Sequence, residues 1–340
     1  MKKVTMADVA QLAGVSKSTV SQYLNRRFEY MGEQTKQRIE EAIEELGYQP
    51  NVLARSLKQK KTSTIGVIVA NILHSLTTQV IRAIEDKCFE SDYHVIVCNT
   101  DDDPAKEKGY IMNLMAKQVD GLIIFPTGGN SDLYQSLIKQ RFPLVFLDRI
   151  VNGLPIDAIL LDNQNAAEIA VQIFIRYHHR HIAVISASIE RLITPRVERL
   201  EGFKKALYKY DLPVVEEFIK GSKEQDIPTV LEEMFSCSPR PTAVLAGNDL
   251  VLMQILKFVK EKGLSLPNDL SIIGIDEIPF ASLFSPTITT IAQPAVEMGN
   301  KAVELLLRKI EQDDGEAQTQ VYRFHPQLIE RESVRKLVQN

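Results

Sequence analysis

Between residues 4 and 25 the chain reads VTMADVAQLAGVSKSTVSQYLN, with apolar positions recurring at helical rather than strand spacing. Val9, Ala10, Leu12 and Ala13 predict the inward face of a helix over about residues 6–13, opened by Thr5 as N-cap and closed by Gly14, which tolerates a positive φ. A second helix from Lys17 to about Asn25, capped by Ser16, buries Val20 and Leu24 and turns Lys17, Ser18, Ser21 and Gln22 outward. A third amphipathic segment, Glu33 to Leu46, sets Ile39, Ala42, Ile43 and Leu46 on one side. Helices this short are marginal alone and must be held by their neighbours. Two of them joined by a Gly-Val-Ser turn have the layout of a helix-turn-helix, whose second helix enters the DNA major groove. An ordinary three-helix bundle carries the same apolar pattern, but the short polar and basic groups on the outer face suit phosphates and base edges.

Beyond residue 62 the texture changes to continuous β-branched runs, TIGVIVA, HVIVC, GLIIF, LVFLD, AILL, HIAVIS, TAVLA and LSIIGI, separated by amphipathic helical segments. Runs of this kind predict parallel sheets covered on both faces. Ligands of such sheets gather at the carboxyl ends of the strands. Polar residues stand there: Asp148 and Arg149, Asp162 and Asn163, Asn248 and Asp249, Asp276, and Gln293. For Asp162 and Asp249, which precede helices, capping is a competing explanation.

Composition sharpens this picture. With 340 residues, 44% of them hydrophobic, the chain exceeds one ordinary core, so several packed units are expected. Residues 1–62 hold 11 basic and 7 acidic residues, a balance of +4, leaving 29 basic and 37 acidic, or −8, for the remainder. The basic fifth of the chain is thus the one with the helix-turn-helix pattern. No apolar run approaches the roughly 20 residues of a membrane span, and MKKVTMADVA lacks a secretory apolar core, so a cytoplasmic location without membrane contact is expected. Cys88, Cys98 and Cys237 are odd in number and lack C-x-x-C spacing, and read as small apolar residues.

The stretches VTMADVAQLAGVSKSTVSQYLN and RIEEAIEELGYQPNVLARSLKQKKTSTIGVIV resemble the N-terminal signature of the lactose/galactose repressor (LacI/GalR) family, and the resemblance covers essentially the whole chain. It implies an α/β protein: an N-terminal helix-turn-helix headpiece (1–49), a linker with a hinge helix (50–62), and a two-lobed periplasmic-binding-protein-like parallel α/β core (63–340). Lobe one is expected at about 63–162 and 292–322, lobe two at about 163–291 and 323–332, with crossovers near Asp162, Ile291 and Tyr322. In the family a linker leucine is driven into the minor groove; the matching residue is Leu57, after Pro50 opens the segment. Lys17, Ser18 and Gln22 match the base-reading positions. Many members carry Arg where this chain has Gln22, and glutamine favours adenine where arginine favours guanine. Thr5, Ser16, Ser21 and Asn25 in the headpiece, with Asn51 and Arg55 in the linker, complete the expected DNA-facing set.

The family's sugar contacts match Asp148, Leu161, Arg199, Asn248, Asp276 and Gln293. Arg149, Arg196 and Arg199 suggest something more: three guanidiniums converging on a carboxylate, hence a sugar-acid effector. NRRFEYM and LITPRVER also resemble repressors controlling 2-keto-3-deoxygluconate and hexuronate catabolism. The expected function is a homodimeric repressor of carbohydrate catabolism that binds double-stranded operator DNA and is released by a 2-keto-3-deoxygluconate-like effector. A neutral-sugar effector, a co-repressing ligand and a sugar-binding protein without a DNA role remain the alternatives. RESVRKLVQN is too short for a tetramerising leucine heptad.

An enzyme would need chemistry that the sequence does not offer. G-x-S-x-G, Walker, G-x-G-x-x-G and H-E-x-x-H motifs are missing, TGGN at 127–130 is too short to cradle phosphates, and no cofactor is implied. HHRH at 178–181 is the nearest to a metal motif, but it lacks an acidic partner and precedes the strand IAVIS, so a structural turn is expected there.

Overall fold

The computed structural model describes residues 4–25, 27–29, 31–49, 61–311 and 319–338. The chain divides between Thr62 and Ser63 into two units. The first holds helices α1 (Met6–Ala13), α2 (Lys17–Leu24) and α3 (Glu33–Leu46). Asp8 accepts from the Thr5 amide at 2.8 Å and from the Thr5 hydroxyl at 2.7 Å, fixing the start of α1. Gly14, at φ 65°, ends α1, and the Val15 amide donates back to the Ala10 carbonyl at 3.0 Å.

Val9, Ala10, Ala13, Val20, Ile39 and Ala42 form the centre of this small core. Leu12, expected on the inward face, is instead 46% exposed. The buried stripe of α1 is Met6, Val9, Ala10 and Ala13, spaced by three and four, and Leu12 lies a hundred degrees off it. Asn51, Arg55 and Leu57 of the expected linker lie outside the described residues.

The second unit carries twelve strands among its described residues. They are β1 (Thr64–Val69), β2 (His94–Asn99), β3 (Gly121–Ile124), β4 (Leu144–Leu147), β5 (Ala158–Leu161) and β6 (Ile182–Ala187). β7 (Ile219–Ser222), β8 (Ala243–Ala246), β9 (Ser271–Ile275), β10 (Thr289–Ala292), β11 (Val321–Phe324) and β12 (Gln327–Ile329) follow. One sheet has the order β11-β5-β4-β3-β1-β2 and the other β12-β10-β9-β8-β6-β7. All pairings are parallel except β10 with β12, an antiparallel edge on an otherwise parallel sheet.

The chain passes between lobes after Leu161, after Ala292 and after Phe324. The third crossover lies slightly beyond Tyr322, because β11 stays in register with β5 up to the pair Phe324 and Leu161. The central strands β3, β4, β5 and β8 are buried along their whole length, as expected of sheets clad by helices on both faces. Among the described residues no helix is long and apolar enough to cross a membrane.

Candidate effector cleft and DNA-facing helix

Strands of both sheets end at one cavity, lined by Ala70, His74, Leu76, Thr77, Phe125, Asp148, Arg149, Pro195, Arg196, Arg199, Gly247, Asn248, Asp276 and Gln293. Seven of the eight effector residues expected from the sequence are therefore together. Leu161 is the exception: it is fully buried in the second lobe's apolar core, with its carbonyl accepting from Asn163 and Arg323.

Asp148 directly follows β4 and Asp276 directly follows β9. Both have left-handed backbones, at φ 65° and 84°. Their amides extend the ladders, Asp148 to the Ile159 carbonyl at 2.7 Å and Asp276 to the Ile291 carbonyl at 2.9 Å. The two lobes thus present one aspartate each from equivalent, locally strained strand ends, a conformation that aspartate tolerates better than most residues. Gln293 donates to Asp276 at 2.6 Å, while its Oε1 is buried without a hydrogen-bond partner among the described residues. Burial, reinforced by the charge of Asp249, raises the Asp276 carboxyl above the ordinary carboxylate range.

Arg199 lies on the helix Thr194–Lys209 and is 5% exposed. Its Nε donates to Asn163 Oδ1 at 2.9 Å and its Nη1 to the Gly247 carbonyl at 2.6 Å. Gly202, one turn later, lets this helix approach Asn163–Arg176 so closely that a Cβ would lie 2.6 Å from the Gln164 Cα. That contact sets Arg199 beside Asn163. Asn248 lines the cavity while its Oδ1 caps the following helix through the Val251 amide at 2.8 Å.

Arg149 and Arg196 are not free. Asp102 takes one of them on each oxygen: Oδ1 accepts from Arg149 at 2.5 Å and Oδ2 from Arg196 at 2.6 Å. Arg196 also donates to the Ser188 carbonyl, and Arg149 stands 3.5 Å from Asp148. The three arginines therefore do not converge as bare positive charge; one carboxylate of the chain already balances two of them. Burial would raise the Asp102 carboxyl, but the guanidiniums prevail and hold it below the ordinary range. Burial, with Arg149 close by, lowers Arg196.

Asp102 was not among the residues singled out from the sequence, nor was His74. Nδ1 of His74 in the first lobe meets Asp249 of the second at 2.6 Å. Asp249 thus does more than begin a helix, whereas Asp162 is a cap, accepting from the Asn165 amide at 3.1 Å. His179 of the HHRH run sits between Thr242 and the Arg335 carbonyl, at 2.9 and 3.0 Å. Among the described residues no group of three or more His, Cys, Asp or Glu is placed to hold a metal.

In the first unit Lys17, Ser18 and Gln22 are exposed on α2. Ser16 accepts from the Thr19 amide at 3.1 Å and lies 2.6 Å from the Ser18 hydroxyl. Ser21 and Asn25 are half-buried, with Asn25 donating to the Ser21 carbonyl at 2.7 Å. Thr5, Ser16 and Asn25 thus also shape the helix ends.

Residues 5–51 match the bacterial regulatory proteins of the lacI family, and residues 171–334 match a periplasmic binding protein-like domain. A probable HTH-type transcriptional regulator EndR of Paenibacillus polymyxa is 48% identical over 336 residues, 98% of this chain and 99% of that protein. The chain belongs to the lacI family of bacterial regulatory proteins. Another relative, the HTH-type transcriptional regulator KdgR of Bacillus subtilis (strain 168), is 35% identical over 319 residues, 93% of this chain and 94% of that one. The solved structure of the Lac repressor dimer bound to operator and the anti-inducer ONPF is similar with a TM-score of 0.83 at 26% identity, covering 98% of this chain and 100% of that one. This lacI-family member is a DNA-binding transcriptional regulator and not an enzyme.

Proposed function

We propose that this regulator is a cytoplasmic homodimer that represses carbohydrate-catabolism genes from a pseudo-palindromic operator and leaves it on binding a small sugar acid. Lys17, Ser18 and Gln22 read bases, and Leu57 wedges into the minor groove. Asp148, Asn248, Asp276 and Gln293 hold the effector's hydroxyls, and Arg149, Arg196 and Arg199 supply its anion site. The observation that carries the sugar-acid reading is the pair Arg149 and Arg196: one guanidinium from each lobe lines the cavity, and the two share the single carboxylate of Asp102. A planar fork on each side of one carboxylate is a geometry that selects acids.

Effector binding acts on DNA only through its different affinity for the two cleft states, which argues for closure around the ligand as the event transmitted to the headpieces. The balance of Asp102 against two arginines favours, as a second reading, a neutral sugar bound beside an intact bridge. Calorimetric titration with 2-keto-3-deoxygluconate, galacturonate, gluconate and glucose separates them, with operator release followed by fluorescence anisotropy. An acid is expected to bind at least tenfold more tightly than glucose and to weaken operator binding. Tightest binding by glucose would end the sugar-acid reading, and strengthened operator binding would make the ligand a co-repressor.

A further inference from the structure

We propose that Asp102 is a built-in stand-in for the effector's carboxylate, so that a sugar acid binds by taking its place between Arg149 and Arg196. This rests on the sugar-acid reading above. Arg149 belongs to the first lobe and Arg196 to the second, and both are largely buried, with side chains 6% and 18% exposed. Two guanidiniums drawn this close out of water need an anion between them. Asp102 supplies it with one oxygen to each. Both oxygens are engaged, so a second carboxylate cannot reach the same two donors while Asp102 holds them.

The backbone that delivers Asp102 is a turn rather than a strand or helix. Asp101 and Asp102 are consecutive left-handed residues, at φ 54° and 57°, between the end of β2 and the helix Pro104–Ala116. Asp102 is anchored through its amide to the Ala70 carbonyl at 2.8 Å, and its own carbonyl accepts from Arg191 of the second lobe. A side-chain rotation at Asp102 therefore frees both arginines without unmaking secondary structure. A sugar acid restores the anion when Asp102 turns away. A neutral sugar does not, and would leave two buried cations unbalanced. Asp102 thereby sets selectivity: it admits a ligand that brings its own carboxylate and excludes from that place one that does not.

The test compares the wild type with Asp102→Asn, and with Asp101→Asn as a control, by calorimetric titration of the full chain with 2-keto-3-deoxygluconate, galacturonate and glucose in low and high chloride. Asp101 pairs with Lys106 and Asn99, each at 2.7 Å, away from the two arginines. Removing the competing charge in Asp102→Asn is expected to tighten acid binding at least tenfold, to leave glucose binding unchanged or weaker, and to make acid binding newly sensitive to chloride. Asp101→Asn should leave the acid-to-glucose ratio as in the wild type. Acid binding that is unchanged or weaker in Asp102→Asn, with melting temperature preserved, overturns the stand-in role, as does an equal shift in both variants. If Asp102→Asn melts early, the same titration on Asp102→Ser decides by the same ratio. A wild type that prefers glucose defeats the sugar-acid reading itself, an outcome visible before any variant is made.

Discussion

Nδ1 of His74 lies 2.6 Å from Oδ1 of Asp249 across the cleft, and the other oxygen of Asp249 accepts from the Ser75 amide at 2.6 Å. This junction ties the first lobe to the second at the cavity that His74 lines. Burial lowers the His74 imidazole, but Asp249 outweighs it and the pKa stands above the ordinary histidine value; Asp276 adds to the rise and Arg149 opposes it. Asp249, which burial alone would raise, falls below the ordinary carboxylate range.

A histidine raised by its place in this junction contributes fully below its ordinary pKa of about 6.5, and that contribution disappears as pH rises through the raised value. The lowered carboxylate contributes above about 3.9 and fails only in stronger acid. The junction's support of effector affinity should therefore be complete below about pH 6.5 and be lost as pH rises through the raised value. The ceiling is the roughly 1.5–3 kcal/mol of a charge-assisted hydrogen bond. In His74→Gln the alkaline decline should flatten, and a decline of full size in that variant would show that another group sets it.

His179 titrates in the opposite sense and bears on stability rather than on the cleft. It is 1% exposed, and the carbonyl of Arg335 at 3.0 Å requires a proton on Nε2, leaving Nδ1 to accept from the Thr242 hydroxyl. Burial pushes its pKa down to about 4. Since the unfolded chain takes up this proton below about 6.5 and the folded one does not, stability is full above pH 6.5 and falls as pH drops toward 4. The loss attributable to this residue is on the order of 3 kcal/mol. Urea titrations at pH 7.5 and 5 should show His179→Asn less stable at the higher pH and less sensitive to the change. Equal pH sensitivity in both proteins would locate the acid transition elsewhere.

Much of the cleft was legible because its residues follow strands that announce themselves as buried β-branched runs, as Asp148 follows LVFL and Asp276 follows SIIGI. Asp102 was not, because it stands in the triplet Asp101-Asp102-Asp103, where any member reads as a turn or a helix cap. Asp103 is indeed the cap, accepting from the Ala105 amide at 2.7 Å. Which of the three reaches the arginines depends on two successive left-handed residues that composition does not reveal. The edge strands β7, β11 and β12 escaped because, being half-exposed, they lack a continuous apolar run. Leu161 was misplaced because a strand-terminal residue points to the cavity or to the core according to the pleat alone.

Gly202 links helix packing to the placement of Arg199. A Cβ there would meet the Gln164 Cα at 2.6 Å and its carbonyl oxygen at 2.8 Å, both backbone atoms that do not give way. Gly202→Ala should therefore push the two helices apart, costing about 1–3 kcal/mol of stability as overpacking does. It should also draw Arg199 away from Asn163, weakening effector binding while operator binding without effector persists. A variant that melts early but binds effector as the wild type does would show that Arg199 is positioned by Asn163 and Gly247 independently of this contact.

The DNA-facing helix offers the remaining test. Lys17, Ser18 and Gln22 are exposed on α2, whereas Val20 anchors it to the core and Ser16 holds its first turn, so these three residues can be changed without unfolding the headpiece. A glutamine amide pairs with adenine through a donor and an acceptor side by side, while arginine offers two donors to guanine. Gln22→Ala should lower discrimination at one base pair of each half-site by about 1–3 kcal/mol, and Gln22→Arg should move the preference at that position from adenine toward guanine. Leu57→Ala should weaken specific binding more than non-specific binding, since a minor-groove wedge helps only where the operator centre can kink. Anisotropy titrations over a panel of half-site variants, at two salt concentrations, measure all three. If the ranking of operators is untouched in both Gln22 variants, the base contact belongs to Lys17 or Ser18 instead, and an equal loss on operator and random DNA in Leu57→Ala would remove the wedge.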